Sequence, residues 1–111
     1  MQIIVAARHF DLSDNLKQHV RDKFGDIDKY DDRIRKVEVT LTEEKNRRDV
    51  DVLASVDRAG RIHAEAEDGD FRTAIDTARD RLARQIKRQR AQQREHQGPG
   101  DAPPPGTGAT P

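Results

Sequence analysis

Residues 72–94, RTAIDTARDRLARQIKRQRAQQR, gather the chemistry of this chain. Arg72, Arg79, Arg81, Arg84, Lys87, Arg88, Arg90 and Arg94 are eight of its 21 basic residues, and they face only two acids, Asp76 and Asp80. The segment is +6, residues 1–71 with 13 bases and 17 acids are −4, and the whole chain is neutral. Charge segregated this way points to an anionic partner met through one element. Arginine outnumbers lysine seven to one here. Its planar fork suits bidentate contacts to phosphate, which a point-charge ammonium cannot make. A solvated helix face is the plainer reading of a charge run, but a face shaped only by solubility mixes both signs.

Other constellations are weaker. His63, Glu65 and Glu67 in HAEAE share one face of a strand, a spacing that can hold zinc. Alternation on an exposed sheet face explains the same residues, and no metal site is expected. The acid pairs Asp26/Asp28, Asp49/Asp51 and Asp68/Asp70 lack an activated nucleophile. Ser13 reads as a helix cap, and Ser55 lies on a strand outside any nucleophile elbow. The four histidines are scattered, and no cysteine occurs, which excludes thiolate catalysis, disulfides and Cys-based zinc sites. No enzyme, cofactor or small-molecule substrate is expected. No signal peptide and no apolar run near the roughly 20 residues of a membrane span is visible, so the expected setting is cytoplasmic, without a membrane partner.

The elements that must present the basic segment are legible from periodicity. QIIVAAR (2–8) is a β-branched apolar run, a strand. Ser13 is a good N-cap with Asp14 in the first turn. Leu16, Val20, Phe24 and Ile27 then fall on one helical face. Gly25 sits inside that pattern without a reason legible in the sequence. Val37, Val39 and Leu41, then Val50, Val52, Ala54 and Val56, then Ile62, Ala64 and Ala66 alternate with polar residues, three strands with one buried face each. DRAG (57–60) reads as a hairpin turn, with Gly60 taking the left-handed conformation. DGD (68–70) starts the last helix, whose apolar stripe is Phe71, Ala74, Ile75, Ala78, Leu82 and Ile86. The pattern predicts an α+β fold of order β-α-β-β-β-α: a four-stranded sheet with two helices packed on one face. The opposite face, with Glu38, Asp51, His63, Glu65 and Glu67, is left to solvent. One α+β domain over 1–96 is expected. A Pro/Gly-rich segment, 97–111, follows with no periodicity, a disordered tail or the start of a linker.

On a helical wheel Arg81, Arg84 and Arg88 share one flank and the outer face. Arg72, Arg79, Arg90 and Arg94 lie on the other flank, with Lys87 nearby. Asp76 and Asp80 cannot neutralise eight bases through pairs worth about 0.2–0.5 kcal/mol each. The strands carry no aromatic residue, so a base-stacking sheet platform is not expected. No phosphate loop or zinc-finger spacing is present. Backbone reading of a shaped, folded nucleic acid remains, which favours structured RNA over a sequence-specific DNA operator, and composition alone leaves both open. The rival reading is a protein-interaction adaptor that uses the acidic sheet face for a basic partner.

MQIIVAARHFDLSDNLKQHVRDKF, KVEVTLTEEK and IHAEAEDGDFRTAIDTARDRLARQIKRQR, in this order, resemble the ribosome hibernation-promoting factor family, also known as ribosome-associated inhibitor A or protein Y and formerly as sigma-54 modulation protein. The most specific part runs from Glu67 or Asp68 through Phe71, Ala74-Ile75-Asp76 and Asp80-Arg81-Leu82 to Arg84-Gln85-Ile86. The resemblance implies the same fold, no catalysis, and a ribosome-binding role for the domain over 1–96. It also implies binding to small-subunit rRNA in the channel of messenger and transfer RNA, inhibiting translation under stress or in stationary phase. The RNA-binding positions it implies are Lys23, Lys29, Arg81, Arg84 and Arg88. The charge pattern adds Arg79, Lys87 and Arg90. Position 79 is often apolar in relatives, and Asp26 stands where relatives often have a base. Long members carry a second domain that pairs ribosomes; among short ones, some act with a separate ribosome modulation factor and others keep ribosomes single.

Overall fold

The computed structural model describes the backbone of residues 1–97 and the side chains of residues 1–92. Four strands and two helices follow in the expected order: β1 (Gln2–Arg8), α1 (Asp14–Phe24), a 3-10 turn (Ile27–Lys29), β2 (Ile34–Glu43), β3 (Arg48–Val56), β4 (Gly60–Asp68) and α2 (Phe71–Gln97). The sheet order is β1-β2-β3-β4. β1 runs parallel to β2, joined through α1, and the other pairs are antiparallel. The Pro/Gly-rich segment expected over 97–111, as a disordered tail or the start of a linker, lies outside the described residues apart from the backbone of Gln97.

Alternation places the side chains. Ile3, Val5, Val37, Val39, Leu41, Val50, Val52, Ala54, Ile62, Ala64 and Ala66 all point to the helical side, in register across the strands. Val20 and Phe24 of α1, and Ala74, Ile75, Ala78, Leu82 and Ile86 of α2, close over them and are fully buried. α2 lies across β3 and β4, while α1 packs beside it over β1. Phe71 is only partly buried and stacks on Phe10, ring centroids 4.7 Å apart, at the open end of the core. Burying each large aliphatic side chain contributes about 1.5–3 kcal/mol, so this single layer carries most of the fold's stability.

The helix ends follow local chemistry. Ser13 accepts a hydrogen bond from the Leu16 amide at 3.1 Å, as its sequence position predicts. At α2, Asp70 accepts from the amide and hydroxyl of Thr73, both 3.1 Å, and these bonds hold its carboxyl below the ordinary range. Gly25 differs from the continuous helix read in the sequence. It is the C-cap of α1, after which the chain tightens into the 3-10 turn. A Cβ built there would lie 2.7 Å from the Arg21 carbonyl oxygen, a clash that explains the glycine. In the β3–β4 hairpin Gly60 takes φ 81° as expected, and Arg58 also takes a left-handed φ of 64°.

Leu82 is completely buried at the centre of the α2 stripe. Leu82→Ala should cost about 2–5 kcal/mol, read as a lower urea midpoint with an unchanged slope. A loss below about 1 kcal/mol would mean that α2 is not seated as described.

Candidate nucleic-acid interface

The stripe that buries α2 also sorts its bases into two flanks with different fates. On the α1 side the cations turn inward. Arg79 donates to the Lys23 carbonyl at 3.4 Å, to Asp26 at 3.4 Å and to the Tyr30 hydroxyl at 3.5 Å, and its side chain is only 19% exposed. Burial opposes its charge, but the Tyr30 hydroxyl and Asp26 outweigh that and keep the guanidinium more firmly protonated than usual. The hydrogen bond from Arg79 in turn lowers the Tyr30 phenol. Three cations surround the Tyr30 ring: Lys87 at 4.8 Å, Lys29 at 5.2 Å and Arg79 at 5.6 Å from its centroid.

The same flank holds further pairs. Lys29 meets Asp26 at 3.1 Å, and that bond raises the Lys29 ammonium and lowers the Asp26 carboxyl. Lys23 meets Asp76 at 3.7 Å. Arg72 donates to Nδ1 of His19 at 3.2 Å, and the other ring nitrogen of His19 lies 3.0 Å from Asp76. Arg90 reaches the buried Asp31 at 3.8 Å. A groove of about 430 Å3 here is lined by Asp22, Lys23, Asp26, Asp76, Arg79 and Asp80, four carboxylates against two cations.

The β4 side is arranged differently. Arg81 donates to the Glu65 carbonyl at 2.8 Å, Gln85 to the His63 carbonyl at 2.8 Å and Gln89 to the Ala59 carbonyl at 3.2 Å. These are backbone acceptors along the outer edge of the sheet. Four helical residues advance about 6 Å, and two strand residues advance about 6.6 Å. The turn from Arg81 to Gln85 therefore meets alternate carbonyls of β4, at Glu65 and His63, while Gln89 reaches Ala59 in the adjoining turn, so part of the edge is covered. The capping bond uses part of Arg81; a guanidinium has five N–H donors, so others stay available. Arg84 and Arg88 are exposed, and among the described residues neither has a hydrogen bond or ion pair.

The eight expected site residues therefore do not form one surface. Arg84 and Arg88, with Arg81, face out along β4. Lys87 tops the Tyr30 ring. Lys23 and Lys29, 44% and 54% exposed, hold surface carboxylates, pairs worth only about 0–1 kcal/mol. Arg90 holds Asp31, and Arg79 is an internal strut between α2 and the end of α1. Two bases outside the expected set, Arg58 and Arg61, lie on the β3–β4 hairpin, exposed and likewise without a partner among the described residues. Their sequence signal was a turn, DRAGR, with a base on either side of its glycine. The expected acidic face is present on the outer side of the sheet. Asp51, His63 and Glu65 present ligand atoms within 4.8 Å of one another, with His63 3.3 Å from Asp51. No helix among the described residues is long and apolar enough to cross a membrane.

Residues 3–94 match the family described as sigma 54 modulation protein / S30EA ribosomal protein. The chain belongs to this family. It is 34% identical over 96 residues to the ribosome hibernation promoting factor of Escherichia coli K12, covering 86% of this chain and all of that protein. It is 32% identical over 108 residues to the protein of the same name from Azotobacter vinelandii, covering 95% of this chain and all of the other. Among solved structures, the Thermus thermophilus Protein Y N-terminal domain superposes with a TM-score of 0.71 at 28% identity, covering 79% of this chain and 98% of that one. A ribosomal subunit interface protein from Coxiella burnetii has the same fold, TM-score 0.76 at 23% identity, covering 82% of this chain and 99% of the other. The S30EA family is non-enzymatic.

Asp31 anchors the α1 side of this surface. It is buried and accepts from Arg33 through both oxygens, at 3.0 and 2.8 Å. The Arg33 bond, against the opposing effect of burial, holds its carboxyl below the ordinary 3.8. A depressed folded value stabilises the protein above pH 3.8, and that contribution disappears as pH falls through the lower folded value. Asp31→Asn should therefore cost about 3 kcal/mol at pH 7. In urea titrations the gap from wild type should close below pH 3.8; a gap constant with pH would disprove the ion-pair account.

Proposed function

We propose that this protein is a cytoplasmic ribosome hibernation factor. It binds small-subunit rRNA in the channel of messenger and transfer RNA and inhibits translation under stress or in stationary phase. The observation that carries the reading is the pair Arg84 and Arg88. They are exposed on a rigid helix, four residues apart, and no carboxylate among the described residues neutralises them. Phosphates would supply the missing counter-charges through charge-assisted hydrogen bonds. Arg81 joins them with the donors its capping bond leaves. Lys23 and Lys29 contribute by leaving weak surface partners, Lys87 from above the Tyr30 ring and Arg90 from beside Asp31, whereas Arg79 contributes by holding α1 against α2. The helix-backed domain over residues 1–96 acts as one rigid plug. A ribosome modulation factor is a further proposed partner.

The chemistry requires no nucleophile, metal or cofactor: binding alone blocks the channel. About six phosphates neutralised corresponds to a slope of about −4 to −5 in log K against log[salt]. An adaptor that bound a protein through the outer sheet face would show a much flatter dependence.

Arg84→Glu with Arg88→Glu should abolish co-sedimentation with small subunits through a sucrose gradient and leave the circular dichroism spectrum unchanged, because both side chains are exposed. Undiminished co-sedimentation would overturn the proposed surface.

A further inference from the structure

The two flanks of α2 differ in more than the number of cations, and the difference indicates where an RNA strand leaves the helix. The α1-side groove is lined by four carboxylates and two cations. On the β4 side a groove of about 500 Å3 is lined by Arg61, His63, Gln85, Arg88, Gln89 and Gln92, over Ile62, with no carboxylate. Its walls come from two separate elements, the start of β4 and the second half of α2. Each contributes one guanidinium without a partner among the described residues.

The hairpin beside this groove is unusual in its charge. Its one acid, Asp57, is taken by Arg35 at 3.0 Å. Across the outer face of the sheet Arg61 lies opposite Ser55, so its strand neighbour offers no counter-charge. Lys36, the next position in that row, is already paired with Glu38 at 3.7 Å. Arg58 stands at φ 64°, where a glycine or asparagine is more easily accommodated. An arginine kept in a left-handed turn conformation, without a partner among the described residues, points from strain to use.

We infer that Arg58 and Arg61 of the hairpin, together with Arg88 of α2, form a second phosphate-binding track that continues the helix contact around the β4 end of the molecule. The ligand is a sugar–phosphate backbone of RNA. The inference rests on the rRNA-binding reading above and extends it to residues on a second element. Gln89 and Gln92 line the passage between the two arginines as neutral side chains, which adds no repulsion. Gln85 ties the helix to β4 and Gln89 ties it to the turn at Ala59, so the track is held at a fixed width.

Its test uses the full chain and purified small ribosomal subunits. Arg58→Gly suits the left-handed turn, and Arg61→Gln keeps the length of an exposed strand residue, so the double variant should fold as the wild type does. Removing two cations that meet phosphate should flatten the slope of log K against log[salt] by about 1.4–1.8 and weaken binding at low salt at least tenfold. An unchanged slope and affinity for this variant, with binding abolished by Arg84→Glu/Arg88→Glu, would remove the second track and leave the helix contact standing. Binding by both variants that equals wild type, or a wild type that binds without salt dependence, would remove the rRNA reading itself. A weaker complex with an unchanged slope would show that the hairpin touches protein, and would also overturn the track.

Discussion

Ile75, Leu82 and Ile86 seat α2 on β3 and β4, and their burial fixes the rotation of the helix about its axis. Every later property of the surface follows from that angle. A quarter turn would carry Arg84 and Arg88 into the groove of carboxylates beside α1, or would press them onto the sheet. Rotation by that amount would expose three large aliphatic side chains, each worth about 1.5–3 kcal/mol, so the angle is not adjustable. The proposed binding surface on α2 is thus held as firmly as the core beneath it.

The same angle explains why residues of one type behave differently within one helix. Arg79 and Arg84 are five positions apart, yet one is mostly buried against Tyr30 and Asp26 and the other stands in solvent. Arg79 faces the end of α1, where carboxylates at Asp22 and Asp26 were already available. Arg84 faces outward above the edge of the sheet. Lys23 and Lys29 lie between these extremes. Their partners are exposed, and water and salt weaken such pairs, so an incoming phosphate can displace the carboxylate at little cost. Neutrality of the whole chain therefore conceals two surfaces, one compensated by the protein and one left uncompensated among the described residues.

The fold was legible because it is built from period-two and period-3.6 patterns that few residues violate. Val37–Val39–Leu41 and Val50–Val52–Ala54–Val56 mark their strands, and the α2 stripe marks its helix. Gly25 was opaque for a physical reason: its meaning is a 2.7 Å approach to a carbonyl, a distance that only the coiled backbone creates. Half of the site was legible in the same way. The wheel separates Arg84 and Arg88 from Arg79 and Arg90, but it cannot show that Arg79 meets Tyr30 or that Arg81 caps Glu65. Those partners are 49 and 16 residues apart in sequence. The hairpin arginines were missed because a base beside a turn is ordinary until one sees that Asp57 is occupied. The Arg81–Gln85–Gln89 column did carry a signal: three long donors at four-residue spacing, beside an apolar stripe, suit a strand edge.

That column has a further consequence for the life of the molecule in a crowded cell. Unsatisfied carbonyls on a border strand are the handholds by which one chain recruits another into cross-β fibrils. Here side chains of the same molecule already occupy two of them, at His63 and Glu65, and a third donor holds Ala59 in the adjoining turn. Each carbonyl so occupied is one fewer from which copies at high concentration can begin stacking through this border.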